Sequence, residues 1–331
     1  MRKFYIPQEQ QSYQLMPNHL SNMEQSHHEK WVFIVNPTAG NHFARTLIPK
    51  LESEIRKHQI DAKIILTISH GHASELAQIS IKSGAKYIVA VGGDGTLNEV
   101  AKMLIGNKNV VLGIIPAGTG NDFIQIPGFP NRFEEQHWDI FFQKNTILMD
   151  AGTCNGVPFF NGMGVGFDAE VAAKNYLADG TVKKGGKDKY WSHIIKTLLF
   201  YNEKEARVNN NGQKTSSSNF MKTIAIGRRF AGDFFITPRA IANDGLLDVC
   251  SIQKLTLLQR FKILMQVPKG QHLNDPNVHY DQTQGLEMEF DAKVPFHVDG
   301  ELYFASKFEV AILPEAVNII YNPEGSHFFS V

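Results

Sequence analysis

The sequence predicts an α/β protein with an amino-terminal parallel-sheet domain and a second, antiparallel, β-rich domain of the β-sandwich kind. In the first half, continuous apolar segments alternate with segments of helical periodicity, which is typical of a parallel sheet covered on both faces. In the second half, short strand-like segments follow one another with turn residues between them, which is typical of antiparallel pairing. The length of 331 residues fits two such domains.

Composition excludes several classes of protein. Lys+Arg and Asp+Glu are 33 each, so no net charge attracts the chain to nucleic acid, and we expect no nucleic-acid partner. Cys154 and Cys250 are too few for a disulfide framework or a four-thiolate zinc site, which favours a reducing, cytoplasmic location. The sequence shows neither the apolar segment of a signal peptide nor the roughly 18 apolar residues of a membrane span.

The first domain is predicted over residues 31–150, after an extension over residues 1–30, and residues 312–331 are expected to rejoin it. Apolar residues recur every four positions between Phe43 and Ile55, which indicates a helix that either kinks at Pro49 or starts just before it. The predicted strands of this domain are residues 31–35, 62–67, 87–91 and 110–115.

The second domain is predicted over residues 151–311. One helix is expected at residues 190–201, and the polar stretch at residues 209–219 is expected to be a surface loop. Asn243–Gly245 and Asp299–Gly300 carry turn signals. The predicted strands are residues 158–161, 221–227, 247–252, 286–290, 295–298 and 301–304.

A glycine-rich loop follows the third strand and opens a helix. Its sequence is Gly-Gly-Asp-Gly-Thr at residues 92–96, and the spacing of Thr96 and Glu99 is that of a capping box, which places the helix start at Thr96. Free backbone amides and the helix dipole would form a phosphate cradle there. Asp94 would repel a phosphate unless Mg²⁺ bridges the two or the carboxylate orders the loop. A glycine-rich turn with a solvated aspartate is the alternative interpretation.

Two further strand ends should meet this loop at the same edge of the sheet. Residues 36–40 and 116–122 are both rich in Gly, Thr and Asn. Ligands bind at the carboxyl ends of the strands in open α/β sheets. Three such loops at one edge favour a binding site over three unrelated turns.

These segments resemble those of the diacylglycerol kinase catalytic-domain family, which includes sphingosine and ceramide kinases and the bacterial soluble lipid kinases. The resemblance spans roughly residues 31–325. In the first loop Ala39 stands where the family often has serine, which removes one hydroxyl and leaves the backbone available. The six segments that carry the resemblance, in order, are residues 36–40, 92–99, 116–123, 160–168, 244–248 and 298–301.

The resemblance implies phosphorylation of a lipid hydroxyl with ATP and Mg²⁺, with diacylglycerol as the leading substrate and the active site in the cleft between the domains. It implies that Glu301 is the general base and that Asp94 takes part in catalysis. It also implies a structural Mg²⁺ held by Asp244 and the carbonyls of Ile241 and Leu246. The nucleotide-binding residues it implies are Asn36, Pro37, Thr38, Ala39, Gly40, Thr67, Gly93, Asp94, Gly95, Thr96, Leu97, Asn98, Glu99 and Thr119.

Alternatives remain at this point. Asp299–Gly300 is also a type I′ hairpin turn, which would make Glu301 a surface residue, although a rigid turn suits a carboxylate held at a cleft. A sphingosine-type, ceramide-type or other lipid alcohol is an alternative substrate. An NAD kinase, which shares Gly-Gly-Asp-Gly-Thr, and a non-catalytic lipid-binding protein are the rival functions.

The expected partner is a lipid at the membrane, met transiently at the inner face, and homodimerisation is compatible with the sequence. Lysines cluster just before the predicted helix at residues 190–201. They would either contact an anionic membrane surface or form a solvated loop. The clustered residues are Lys183, Lys184, Lys187 and Lys189.

Overall fold

The computed structural model describes residues 29–174, 187–210, 212–232 and 234–331. Most of the predicted extension over residues 1–30 lies outside this range, as do Lys183 and Lys184 and the side chains of Lys187 and Lys189. Within the described residues, no helix combines the length and the apolar composition that a bilayer crossing requires.

The first half of the chain alternates strands and helices. The three strands β1, β3 and β4 are buried along their whole lengths, so their apolar residues pack on both faces. Pro49 lies in the first turn of α2, where its missing N–H costs no helical hydrogen bond. The elements are β1 Trp31–Val35, α1 Phe43–Thr46, α2 Ile48–Lys57, β2 Ala62–Leu66, α3 His72–Lys82, β3 Tyr87–Gly92, α4 Asp94–Leu104, β4 Val111–Pro116 and α5 Glu135–Phe142.

In the described residues, the second half is dominated by strands, with three α-helices on the sheet. The elements are β5 Thr146–Cys154, β6 Val157–Phe159, β7 Gly162–Gly166, α6 Phe167–Ala173, α7 Lys187–Phe200, β8 Lys204–Asn210, β9 Gln213–Ala225, β10 Arg229–Phe230, β11 Phe234–Phe235, β12 Leu247–Gln253, α8 Leu257–Gln266, β13 Val278–Thr283, β14 Gly285–Val298 and β15 Glu301–Ile320.

One mixed sheet joins the two halves. The strands β2, β1, β3 and β4 pair in this order, each pair in parallel. The long strand β15 then pairs in parallel with β4 and antiparallel with β14 and β5. The expected separate parallel sheet is therefore not confirmed, because the parallel strands form one end of a sheet in which most pairs are antiparallel. With 20 residues, β15 is long enough to belong to both parts.

The predicted loop at residues 209–219 is wrong, because the chain forms a β-hairpin there. Most of this stretch belongs to β8 and β9, which pair antiparallel, with Asn210 opposite Gln213. The first residues of β9 are exposed, so polar Ser and Thr side chains occupy strand positions that carry no apolar signal. The hydrophobic pattern of the sequence therefore could not predict this hairpin.

A second, smaller apolar core lies between the sheet and the helices α6, α7 and α8. It contains Phe167, Leu198, Phe220 and Ile263, among others. Arg260 of α8 ties α7 to this core, because its guanidinium donates to the carbonyls of Leu198 and Tyr201 at 2.7 and 2.9 Å. The same guanidinium contacts a Glu203 carboxylate oxygen at 2.7 Å, which compensates its buried charge.

Candidate active site

Three loops meet at the carboxyl ends of β1, β3 and β4. The Asn36 side chain connects the first two, because its Nδ2 donates to Thr96 Oγ1 at 3.1 Å while its Oδ1 accepts from the backbone and hydroxyl of Thr38. The remaining residues of the first loop, Pro37, Ala39 and Gly40, are partly exposed beside it. The structure therefore brings the first two predicted nucleotide-binding loops into direct contact.

Glycines allow these loops to approach at backbone distance. Gly40 has a φ of 59°, and a Cβ on it would lie 2.2 Å from the carbonyl oxygen of Ala117. A Cβ on Gly118 would lie 2.4 Å from the Cα of Gly93. Side chains at these positions would force the loops apart.

The helix α4 begins at Asp94, with Gly93 as its N-cap, so the predicted start at Thr96 is wrong. Thr96 accepts its hydrogen bond from Asn36, and Glu99 reaches a neighbouring helix. The Glu99 carboxylate accepts from the amides of Gly71 and Ala73, at 2.9 and 3.1 Å, and thereby caps α3. Within the described residues no side chain caps α4, so its first amides are available to an anion.

The other predicted nucleotide-binding residues lie in different surroundings. Thr67 is buried at the end of β2, and its amide donates to the carbonyl of Val35. Gly95, in the first turn of α4, and Thr119, in the third loop, are both exposed. Leu97 and Asn98 are buried and face the second half of the chain, where both line a cavity.

That cavity has a volume of about 440 Å³ and extends from the start of α4 into the second apolar core. Most of its wall is apolar. Side chains from α7 and α8, among them Leu198 and Ile263, line one part of it, and Phe123, Phe167 and Phe220 line others. Its volume is in the range of pockets that take up small organic ligands.

Carboxylates line the end of the cavity near the glycine loop. Asp94 Oδ1 accepts from the amide of Phe123 at 3.2 Å, and Asp122 Oδ1 accepts from the amide of Gly232 at 2.6 Å. Burial raises the pKa of Asp122 to about 6, and repulsion from Asp94 adds to the shift. The charge of Asp94 repels that of Asp122, and a cation between the two carboxylates would relieve this repulsion.

Asp299 joins the two halves of the site. Its carboxylate accepts from the amides of Phe160, Asn161 and Gly162, at 2.8, 3.0 and 2.9 Å. It also accepts from Asn98 Nδ2 at 2.9 Å, so a helix of the first half is held to a turn of the second. Burial raises the pKa of this carboxyl, and the nearby Asp94 charge acts in the same direction.

A histidine–aspartate pair forms another polar part of the cavity wall. His297 Nε2 lies 3.1 Å from Asp168 Oδ2, and both residues line the cavity. A Cβ on Gly164 would lie 1.9 Å from the same Asp168 oxygen and 2.5 Å from His297 Nε2. Glycine at this position is thus required for the pair to form.

Glu301 lies beside the cavity but is not among its lining residues. Asp299 and Gly300 have φ angles of 46° and 85°, which confirms the two-residue turn between β14 and β15. The Glu301 side chain is 43% exposed and lies 4.0 Å from Lys102 Nζ. Its Oε2 accepts from the hydroxyl of Tyr303 at 2.7 Å. Its neighbour Gly300 does line the cavity.

Acidic side chains gather around the turn that precedes β12. Asp244 Oδ1 accepts from the amide of Leu246 at 3.0 Å, while Asp150 accepts from the amide of Gly245 at 2.8 Å. Burial, together with the Asp244 charge, raises the pKa of Asp150. The same two causes raise the pKa of Asp248 to about 6. One buried oxygen of Asp248 has no hydrogen-bond partner among the residues that the structure describes. A carboxylate-rich turn with peptide carbonyls, such as those of Ile241 and Leu246, suits a hard divalent cation.

Sequence reasoning assigned no role to several residues that the structure brings together. Asp122 and Asp299 lie within two of the segments that carry the family resemblance. In both cases an aspartate among turn residues is the signal in the sequence that could have identified them. Asp168 and His297 are 129 residues apart, so no local pattern could pair them.

Asp299→Ala should lower the free energy of unfolding by at least about 2 kcal/mol, because three amides would lose their acceptor in a partly buried turn. Asp299→Asn should cost less, since one acceptor oxygen remains. Denaturant titration measures both changes. Asp291→Ala, on the strand β14 that precedes Asp299, removes only a surface ion pair with Arg207 and should change little. Equal effects at positions 291 and 299 would contradict the joining role of Asp299.

Comparison with known proteins supports the family resemblance. Residues 30–154 match the family described as the diacylglycerol kinase catalytic domain, and residues 162–321 match the YegS C-terminal NAD kinase beta sandwich-like domain. A diacylglycerol kinase from Staphylococcus carnosus is 24% identical over 81% of this chain and 87% of its own length. A protein from Enterobacter named "Probable lipid kinase YegS-like" is 25% identical over 89% of this chain and 97% of its own length.

A solved structure supports the fold in the same way. The crystal structure of a diacylglycerol kinase from Bacillus anthracis is similar, with a TM-score of 0.73 and 25% sequence identity. The similarity covers 89% of this chain and 98% of that one. The two matched domains together span most of this sequence, in the order in which the site residues occur. The chain therefore belongs to the diacylglycerol kinase catalytic-domain family and is a lipid kinase of that family.

Proposed function

We propose that this chain transfers the γ-phosphoryl group of ATP to the hydroxyl of an uncharged lipid alcohol, with diacylglycerol as the leading substrate. The observation that carries the proposal is the apolar cavity, which ends at Asp94 beside the uncapped start of α4. An acyl chain would lie among the apolar side chains. The hydroxyl would then be close to the loops that suit a phosphate.

The charge of the cavity supports an uncharged or cationic substrate. Four aspartates line it, namely Asp94, Asp122, Asp168 and Asp299. Among the described lining residues Arg260 is the only lysine or arginine, and Glu203 already compensates its charge. An anionic phospholipid would meet repulsion here, whereas diacylglycerol carries no charge. A sphingosine-type amino alcohol remains the second candidate, because its ammonium group would be attracted to the same carboxylates.

The nucleotide would bind at the three loops, outside the cavity. The first amides of α4 and the glycine backbone at Gly93 and Gly118 would contact its phosphates. The donor set fits Mg²⁺, since Asp94 and Asp122 offer carboxylate oxygens whose mutual repulsion a cation would relieve. When bound, the ion would neutralise part of the negative charge of the phosphates. Asp94 would hold it, and the α4 amides would orient the triphosphate.

Removal of the hydroxyl proton requires an acceptor at the cavity mouth. Glu301 is our candidate, because it follows Gly300 of the cavity wall on a tight turn that Asp299 holds in place. The Tyr303 hydroxyl fixes one carboxylate oxygen and leaves the other for the substrate. Asp94 is the next candidate.

Two rival functions receive less support. An NAD kinase would have to bind a second polar nucleotide, for which the mostly apolar wall of the cavity is unsuitable. A non-catalytic lipid-binding protein would not need the acidic cluster around Asp94. Action on the lipid from the cytoplasm, at the inner face of the membrane, is part of the proposal.

Transfer of labelled phosphate from ATP to a panel of lipid alcohols in mixed micelles tests the proposal. The panel contains diacylglycerol, sphingosine, ceramide and phosphatidylglycerol. We expect the highest turnover with diacylglycerol and the lowest with phosphatidylglycerol. If the folded wild-type protein transfers phosphate to none of these alcohols, the proposed function is contradicted.

Glu301→Gln should lower kcat by at least about a hundredfold and leave ATP affinity unchanged, because it removes the proton acceptor and keeps the shape. Asp94→Asn should weaken Mg²⁺·ATP binding as well as turnover. Glu309→Gln, at an exposed position of β15, is the matched control and should retain full activity. If Glu301→Gln keeps more than about a tenth of kcat where chemistry is rate-limiting, Glu301 is only a hairpin residue.

Asp244→Asn should abolish most of the rise in melting temperature that Mg²⁺ causes, because it removes the carboxylate ligand of the proposed structural ion. Thermal unfolding with and without Mg²⁺, in the absence of nucleotide, measures this rise. Asp281→Asn on the neighbouring strand β13 is the control. An unchanged Mg²⁺ response in the Asp244 variant would exclude this site.

A further inference from the structure

The helices α7 and α8 have apolar residues on two opposite faces. Their inner faces line the cavity, through Ile194 and Leu198 on α7 and through Ile263 and Leu264 on α8. Their outer faces carry several large apolar side chains that are exposed to solvent. These residues are Ile195, Leu199, Phe200, Leu257, Leu258, Phe261 and Met265.

On α8 the apolar side chains of the outer face are highly exposed and regularly spaced. Leu258 is 83% exposed and Met265 is 76% exposed. With Phe261 they recur at intervals of three and four residues, so they lie on one side of the helix. Packing in the core cannot explain apolar side chains at these positions. On α7, Ile195 and Leu199 are spaced by four residues in the same way.

The two outer faces belong to neighbouring, connected helices. Arg260 of α8 donates to the carbonyl of Leu198, near the end of α7, and to that of Tyr201 just beyond it. The exposed Leu199 and Phe200 therefore lie close to the middle of α8. We call the exposed apolar residues of these two helices the α7–α8 face.

Residues 192–200 of α7 and the whole of α8 carry basic side chains and no acidic ones. Lys196 on α7 and Lys254 just before α8 are both exposed. Glu203, the first acidic residue after α7, is buried and paired with Arg260. An apolar surface bordered by lysines suits an anionic lipid bilayer.

We propose that the α7–α8 face docks onto the surface of an anionic bilayer. The two helices would lie in the interfacial layer, with the outer apolar side chains in contact with the acyl chains. The same helices form a wall of the cavity, so docking would bring the cavity next to the membrane from which a lipid is taken. The reason for docking rests on the proposed function, whereas the binding itself does not require catalysis.

Vesicle co-sedimentation of the full chain tests this proposal. The vesicles contain phosphatidylcholine with phosphatidylglycerol, and neither ATP nor substrate is added. We expect the double variant Leu258→Ser/Met265→Ser to show a partition coefficient at least about tenfold below that of the wild type. Both side chains are exposed, so the substitution should leave the fold intact.

Ile79→Ser provides the matched control, because Ile79 is a 62% exposed apolar residue on the helix α3 of the first half. It should bind vesicles within about twofold of the wild type. The serine double variant should keep wild-type turnover with a short-chain, water-soluble diacylglycerol and lose turnover with diacylglycerol in vesicles. The first result separates loss of docking from loss of the active site.

Three outcomes would overturn the proposal. The wild type does not bind the vesicles, or the serine double variant binds them as well as the wild type does. In the third, size-exclusion chromatography shows that the double substitution converts a dimer to a monomer while vesicle binding is unchanged. The face would then be an interface between two copies of the chain. A wild type that docks but transfers no phosphate would contradict the proposed function and leave the docking proposal standing.

Discussion

The site depends on the carboxylate of Asp299, which accepts four hydrogen bonds from two parts of the chain. Three come from consecutive amides at residues 160–162, and the fourth comes from Asn98 on α4. Because α4 begins within the glycine loop, this one side chain fixes the second half of the molecule relative to the phosphate-binding edge. The position of Glu301 and the end of the cavity both follow from it.

The cavity and the acidic cluster make complementary demands on a substrate. The apolar wall stabilises an acyl chain, which is poorly soluble in water, while the aspartates near α4 disfavour a negative charge on the substrate. Burial raises the pKa of Asp122 to about 6, and the charge of Asp94 acts in the same direction. A lipid alcohol without charge, presented next to a cation-bound triphosphate, satisfies both demands.

Much of this could be predicted from the sequence, because buried parallel strands and glycine loops leave local signals. The four first strands, the turn at Asp299–Gly300 and the meeting of the loops followed from such signals. The β8–β9 hairpin could not, since its exposed polar residues lack periodicity. Nor could the role of Glu99, whose capping-box spacing also allows it to reach the start of α3. The pair of Asp168 and His297 depends on tertiary contact alone.

The central claim is that the cavity holds the lipid chain during phosphoryl transfer. Ala172 lines the cavity, so Ala172→Phe would fill part of it without touching the nucleotide loops. The measurement is kcat/KM for diacylglycerols of increasing acyl length, in wild type and variant. We expect the kcat/KM of the variant to fall at least about tenfold with long chains and little with the shortest, while its ATP affinity is unchanged. The same dependence on chain length in both proteins would contradict it.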